Sequence, residues 1–127
     1  MCNLQPEVVE TLDTTVDAPS AARAVVARAA EHAHISGWQR ETAVLLTSET
    51  VTNVVQHTTS PTLTLSITCD GSELTVSVFD GDASPPQVGE PAAVDETGRG
   101  LMIVRELASA WGVEPEAEGK RVWFSAS

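Results

Sequence analysis

Between Leu63 and Phe79 apolar and polar residues alternate twice in succession. Leu63, Leu65, Ile67 and Cys69 alternate with Thr and Ser, and Leu74, Val76 and Val78 then alternate with Thr75, Ser77 and Phe79. A period of two marks a strand with one covered face, and Asp70-Gly71 between the runs is a strong hairpin signal. The pair is therefore expected to be antiparallel and covered on one side only. Upstream, Val8 to Val16 reads as a strand with imperfect alternation (VVETLDTTV). Pro19 and Ser20 punctuate it, and AARAVVARAAEHAH predicts a helix with Ser20 as N-cap and Gly37 closing the element. A second helix is predicted from Gln39 to His57, where Thr58-Thr59-Ser60-Pro61 stops it.

From Gly81 to Thr97 the chain is rich in Pro, Gly, Asp and Ala without periodicity. Loops of that length in compact domains carry function or lack fixed order. Leu101, Val104, Leu107 and Ala108 then fall at helical spacing, predicting a short helix from Arg99 to Ala110 that Gly112 ends. Val113 begins a short strand and Lys120 to Phe124 the last, paired across Glu118-Gly119. This order predicts an α+β fold, a two-layer α/β sandwich with a mostly antiparallel sheet and helices on one face. A length of 127 residues suits one such domain, 1–127, with residues 1–7 expected to be a mobile terminus.

Composition narrows the function classes. A hydrophobic fraction of 42% fits a folded protein, and with three Trp, two Phe and no Tyr the core must come from Val, Leu, Ile and Ala. A net charge of −11, with only seven Lys and Arg and no basic run, argues against nonspecific nucleic-acid binding. The acidity serves solubility or presents a surface to a basic partner, and both readings stand. Cys2 and Cys69 make neither a disulfide framework nor a zinc motif, which suits a reducing compartment. The start MCNLQPEVVE has no basic or apolar signal region, and no apolar segment precedes Cys2 as a lipobox requires. No run approaches the roughly 20 apolar residues of a membrane span. A soluble cytoplasmic protein is expected, with no membrane and no direct nucleic-acid partner.

Three places break the plain pattern. Glu49 and Asn53 stand one turn apart on one face of the second helix, with Leu45 and Leu46 beside them and a Val44, Val51, Val54, Val55 stripe roughly opposite. A carboxylate and an amide set among apolar residues need partners, which a ligand, a metal or ordinary solvent can supply. Asp80 continues the alternation of Leu74, Val76 and Val78, so its side chain should face the core at a strand end. There it either accepts a ligand's amine or caps the turn with local backbone bonds. Finally, Thr97-Gly98-Arg99-Gly100-Leu101 opens the last helix. Two glycines beside a helix N-terminus bring N–H groups to an anion, and Arg99 can add a charge-assisted bond; an ordinary loop-to-helix turn looks the same.

Taken in order, these segments resemble the boxes of the GHKL superfamily, which includes gyrase-type ATPases, heat-shock chaperones and sensor histidine kinases. The chain looks most like the bacterial anti-sigma-factor serine/threonine kinase branch. LLTSETVTNVVQH resembles that branch's N box, VSVFDGDASPP its first glycine box, TGRGLMIVRELASAWGV its second, and GKRVWF its closing strand. The match runs from Leu12 to Phe124. It implies the Bergerat ATP-binding fold with ATP and Mg²⁺ as cofactors. It also implies that Glu49 is the general base, Asn53 the Mg²⁺ ligand and Asp80 the acceptor of the adenine amino group. Gly98, Arg99, Gly100 and Leu101 would cradle phosphates, with 81–97 as the ATP lid. His57 matches an N-box position and is given no role. The implied partners are a sigma factor and an anti-sigma antagonist, with a homodimer as the implied assembly. Two positions depart from the pattern. Asp82-Ala83-Ser84 follows Gly81 where D-x-G-x-G is usual, and Arg121 stands where the closing strand usually has Thr. These keep open a second reading, a non-catalytic protein-interaction module with a degraded nucleotide site. Nothing resembles the phosphoacceptor histidine box or dimerisation helices of a sensor kinase.

Overall fold

The computed structural model describes residues 8–70, 72–82 and 103–127. Its elements in chain order are β1 (Val8–Asp13), α1 (Ala18–His32), α2 (Gly37–His57), β2 (Thr62–Asp70), β3 (Glu73–Asp80), β4 (Ala110–Glu116) and β5 (Gly119–Ala126). Residues 103–107 form a further helical segment. The strands make one sheet in the order β1-β2-β3-β5-β4 with every neighbouring pair antiparallel. The α+β sandwich expected from the alternation is the observed architecture.

Leu63, Leu65, Ile67 and Cys69 of β2 and Leu74, Val76 and Val78 of β3 all point to the helical side and are buried. β5 adds Val122, Phe124 and Ala126 to the same layer. α1 packs over β1 and β2, and α2 over β3 and β5. The buried stripe of α1 is Ala18, Ala22, Val25, Val26, Ala29 and Ala30, a spacing of four, three and one that repeats at helical period. Its small residues let the two helices approach closely. Val104, from the 103–107 segment, is fully buried against the same core. Each fully buried Leu, Ile, Val or Phe contributes about 1.5–3 kcal/mol relative to exposure, so this single layer supplies most of the drive to fold.

Several boundaries differ from the sequence expectation, each for a local reason. β1 stops at Asp13 because Thr14 turns out of the sheet, its N–H donating to Pro61 O at 3.0 Å and its Oγ1 to Ser60 O at 2.7 Å. α1 starts at Ala18, with Asp17 rather than Ser20 in the N-cap position and no side-chain capping bond; Pro19 fits the first turn. Gly37 opens α2 instead of closing α1. The α1 stop lies earlier, at His34, which has φ 61°. Ile35 N–H donates to Ala30 O at 2.8 Å and His34 N–H to Glu31 O at 3.1 Å, which is the Schellman arrangement with His34 in the place usually held by Gly. β2 runs through Asp70, which pairs with Glu73 instead of forming part of the turn. Gly112 ends no helix; it lies inside β4, where a Cβ would come within 2.7 Å of the Trp123 indole nitrogen across the strands. The helix expected to reach Ala110 gives way there to β4. Residues 1–7, the first part of that helix and all of the 81–97 segment except Gly81 and Asp82 lie outside the described residues.

The left-handed backbone at His34 generates the first prediction. His34→Gly removes the Cβ clash of that conformation, about 1–2 kcal/mol, less the smaller entropic cost of Gly. A net gain near 1 kcal/mol is expected in urea denaturation, and a loss of stability would show that the imidazole itself holds the turn.

Candidate functional site

α2 carries the first part of the site along one edge of its buried face. Asn53 is 2% exposed and belongs to the same buried surface as Leu46, Thr50 and Val54. The valine stripe is thus not wholly opposite to it: Val54 and Asn53 share the buried side, and Leu45 is turned outward at 42% exposure. Glu49, one turn upstream, is half-buried and has no hydrogen-bond or ion-pair partner among the described residues. His57 is exposed at the helix end. The helix then stops at Thr58, the C-cap, whose backbone is extended.

Thr58 joins α2 to the second part of the site. Its Oγ1 donates to Asp80 Oδ1 at 3.2 Å, and it accepts from Ser60 N at 3.0 Å. Asp80 ends β3 and is 1% exposed, so the inward orientation inferred from alternation is the one observed. Asp82 N–H also donates to Asp80 Oδ1, at 2.7 Å, which is the local turn bond that an Asp in this position can make. The Asp82 carboxylate turns away: its Oδ2 accepts from Thr59 N at 2.9 Å and Thr59 Oγ1 at 3.3 Å. Its charge therefore fastens the connection after α2.

β5 completes the cluster with a residue that sequence reasoning missed. Lys120 is 6% exposed and opposite Asp80 in the β3–β5 register. Its Nζ lies 3.3 Å from each oxygen of Asp80, hydrogen-bonding Oδ1 at that distance and Asp82 O at 2.7 Å. Asp80 Oδ2 receives no hydrogen bond although it is buried. The signal was available: Lys120, Val122, Phe124 and Ala126 alternate, so the lysine had to face the core. Arg121 points to the opposite side of the sheet, bonding Ser77 Oγ at 3.0 Å and pairing with Glu114. Arg121, which stands where the closing strand usually has Thr, thus faces away from Asp80, and the β5 residue that faces it is Lys120. Gly119 secures the geometry, since a Cβ there would overlap the Asp80 carbonyl oxygen and sit 2.8 Å from Gly81 Cα. Gly98, Arg99, Gly100 and Leu101 lie outside the described residues.

The arrangement is a polar end to an apolar sandwich: an amide and a carboxylate on α2, and on β3 a buried carboxylate ion-paired with Lys120 of β5. Among the described residues no group of three or more His, Cys, Asp or Glu converges, and no helix is long and apolar enough to cross a membrane. The family model of the histidine kinase-like ATPase domain matches residues 12–126, and the chain belongs to that family.

Solved structures share the fold. The RsbU and RsbW domains of Rv1364c from Mycobacterium tuberculosis align over 94% of this chain and 31% of theirs, at 19% identity and a TM-score of 0.71. This chain thus spans about a third of that protein's length. A chain of the SiaB–SiaC complex from Pseudomonas aeruginosa aligns over 96% of this chain and 90% of its own, at 11% identity and a TM-score of 0.62. The blue-light activated histidine kinase EL346 of Erythrobacter litoralis aligns over 81% of this chain and 39% of its own, at 22% identity and a TM-score of 0.54. No curated protein matches the sequence.

The ion pair yields a stability prediction. Lys120→Met strands the buried Asp80 charge and should lower unfolding stability by about 3 kcal/mol at neutral pH. A change below about 1 kcal/mol in urea melts would mean that Thr58 and the Asp82 amide balance the carboxylate without the lysine. Gly119→Ala should destabilise by about 2 kcal/mol or more through overlap with the β3 backbone, read in the same melts.

Proposed function

We propose that this protein binds ATP with Mg²⁺ and acts as a regulatory serine/threonine kinase. Its partners are then a sigma factor and an anti-sigma antagonist, the second being the phosphorylated one. The observation that carries the nucleotide reading is Asp80, a buried strand-end carboxylate whose Oδ2 faces the Lys120 ammonium at 3.3 Å but receives no hydrogen bond, in a chain of the histidine kinase-like ATPase family. Buried acceptors are nearly always satisfied, and an exocyclic amine of adenine is a donor of the right kind. Asn53 offers Mg²⁺ a hard oxygen ligand, and a single amide suffices because this ion keeps waters and takes phosphate oxygens. When bound, ATP supplies the phosphoryl group and the metal ion neutralises the charge developing on it.

The protein's own residues have distinct tasks in this reading. Asp80 selects the base. Glu49, half-buried and unpaired among the described residues, accepts the proton of the attacking hydroxyl. Gly98, Arg99, Gly100 and Leu101 hold the phosphates, as the resemblance implies. The kinase assignment and its partners rest on that resemblance, supported by the fold shared with the RsbW-containing protein and with a chain solved in a two-protein complex.

Of the two sequence departures, Asp82 turns its carboxylate to Thr59 and Arg121 lies on the far face of the sheet, while Ala83 and Ser84 lie outside the described residues.

Calorimetric titration with ATP and Mg²⁺ should show saturable one-to-one binding, and absence of heat at millimolar nucleotide would transfer the case to the interaction module. Glu49→Gln should retain ATP affinity within about twofold while labelled phosphate transfer to the antagonist falls about 100-fold or more. Equal transfer by the variant would remove Glu49 from the chemistry.

A further inference from the structure

Lys120 Nζ lies 3.3 Å from Asp80 Oδ1 and 3.3 Å from Oδ2. The ammonium therefore stands over both oxygens alike, and the two side chains are 7% and 0% exposed. Thr58 Oγ1 and the Asp82 N–H add bonds to Oδ1 at 3.2 and 2.7 Å. Lys120 Nζ also donates to Asp82 O at 2.7 Å, closer than it comes to either carboxylate oxygen. An amine that approaches Asp80 thus meets a nitrogen donor already in place. The resident donor has two advantages. It is charged, and a charged donor bonds a carboxylate about twice as strongly as a neutral one. It also belongs to the chain, so it reaches the carboxylate without the loss of translational and rotational freedom that a ligand suffers.

We propose that Lys120 is an internal competitor for the nucleotide. Its ammonium occupies Asp80 in the ligand-free protein, and the adenine amino group reaches the carboxylate only by displacing it. This inference rests on the nucleotide-binding reading above. It adds that the base end of the site is held closed by a side chain of β5, so that the site fills only at nucleotide concentrations that outcompete the lysine. The displacement is local. Lys120 carries its charge on a flexible four-carbon stem, and its bond to Asp82 O does not depend on the carboxylate. The ammonium can swing aside while Asp80 and Lys120 stay opposite each other in the β3–β5 register. Gly119 keeps the two backbones in close contact at that point, which leaves the side chain as the part that moves.

The test is calorimetric titration of the wild-type chain, Lys120→Ser and Lys120→Gln with ATP and with inosine triphosphate, each with Mg²⁺. Inosine triphosphate carries a 6-keto group in place of the 6-amino group. Lys120→Ser removes both the charge and the bulk. Lys120→Gln gives up the charge but keeps a neutral donor for Asp80, which protects the fold. Lys120→Ser should bind ATP about tenfold more tightly than the wild type, the size of one hydrogen bond to a charged acceptor regained. Lys120→Gln should gain about threefold, as a weaker competitor. Inosine triphosphate should gain nothing in either variant, because its keto oxygen meets the uncovered carboxylate. Thermal melts without nucleotide give the folded fraction to which each Kd refers, and ATP should raise the midpoint of Lys120→Ser more than that of the wild type. Unchanged or weaker ATP binding in the folded variants overturns the proposal, since Lys120 then holds Asp80 ready for the base. An equal gain for both nucleotides overturns it too, since the lysine is then only bulk. If neither the wild type nor a variant binds ATP, the nucleotide reading itself fails and the proposal falls with it. That result is distinct from a wild type that binds ATP as tightly as its variants.

Discussion

A carboxylate buried at the end of a central strand costs several kcal/mol unless charge and hydrogen bonds answer it. Asp80 is 1% exposed, and each element that meets at its end of the sandwich supplies part of the answer. α2 contributes the hydroxyl of its C-cap, the turn after β3 contributes a backbone N–H, and β5 contributes Lys120. The polar cluster thus ties helix, turn and strand to one group. An apolar residue at Asp80 would strand the buried Lys120 ammonium and leave the Thr58 hydroxyl and the Asp82 N–H without their acceptor.

The remainder of the fold keeps that group in place. Alternation on β2, β3 and β5 builds one apolar layer beneath α1 and α2. The same alternation, continued to the strand ends, delivers Asp80 and Lys120 to the layer's rim opposite each other. At the other end, Gln39 of α2 donates through its side chain to the backbone oxygens of Ser72 and, at 2.9 Å, of Ala126. The helix bearing Glu49 and Asn53 is therefore pinned to the sheet at both ends. Its polar edge cannot slide relative to β3 without breaking bonds at one end or the other.

Much of this was legible in the chain. A strict period of two with a single charged residue at its end announced the inward Asp80, and the helical limits of α2 were visible from the Thr58-Pro61 cluster. Lys120 was hidden for a different reason: it was read only as part of the GKRVWF closing strand, when the alternation through Val122 and Phe124 already turned it inward. Gly112 was read as a helix stop because local sequence offers no other use for it, whereas its cause lies in Trp123 on the next strand. Gly37 and His34 exchanged roles because the αL position fell to a histidine, against residue preference but in agreement with the hydrogen bonds. Local rules located the elements; contacts between distant segments decided their ends.

Among the described residues, the order β1-β2-β3-β5-β4 leaves β1 and β4 with a free side. A bare strand invites a foreign one, and chains commonly resist this with charge or proline. β4 carries Pro115 between Glu114 and Glu116, all exposed, and β1 carries exposed Glu10 and Asp13. A second copy laid alongside β4 would lack one N–H donor and bring like charges together. In a chain of net charge −11, these charges and the proline disfavour the addition of a foreign strand at either margin.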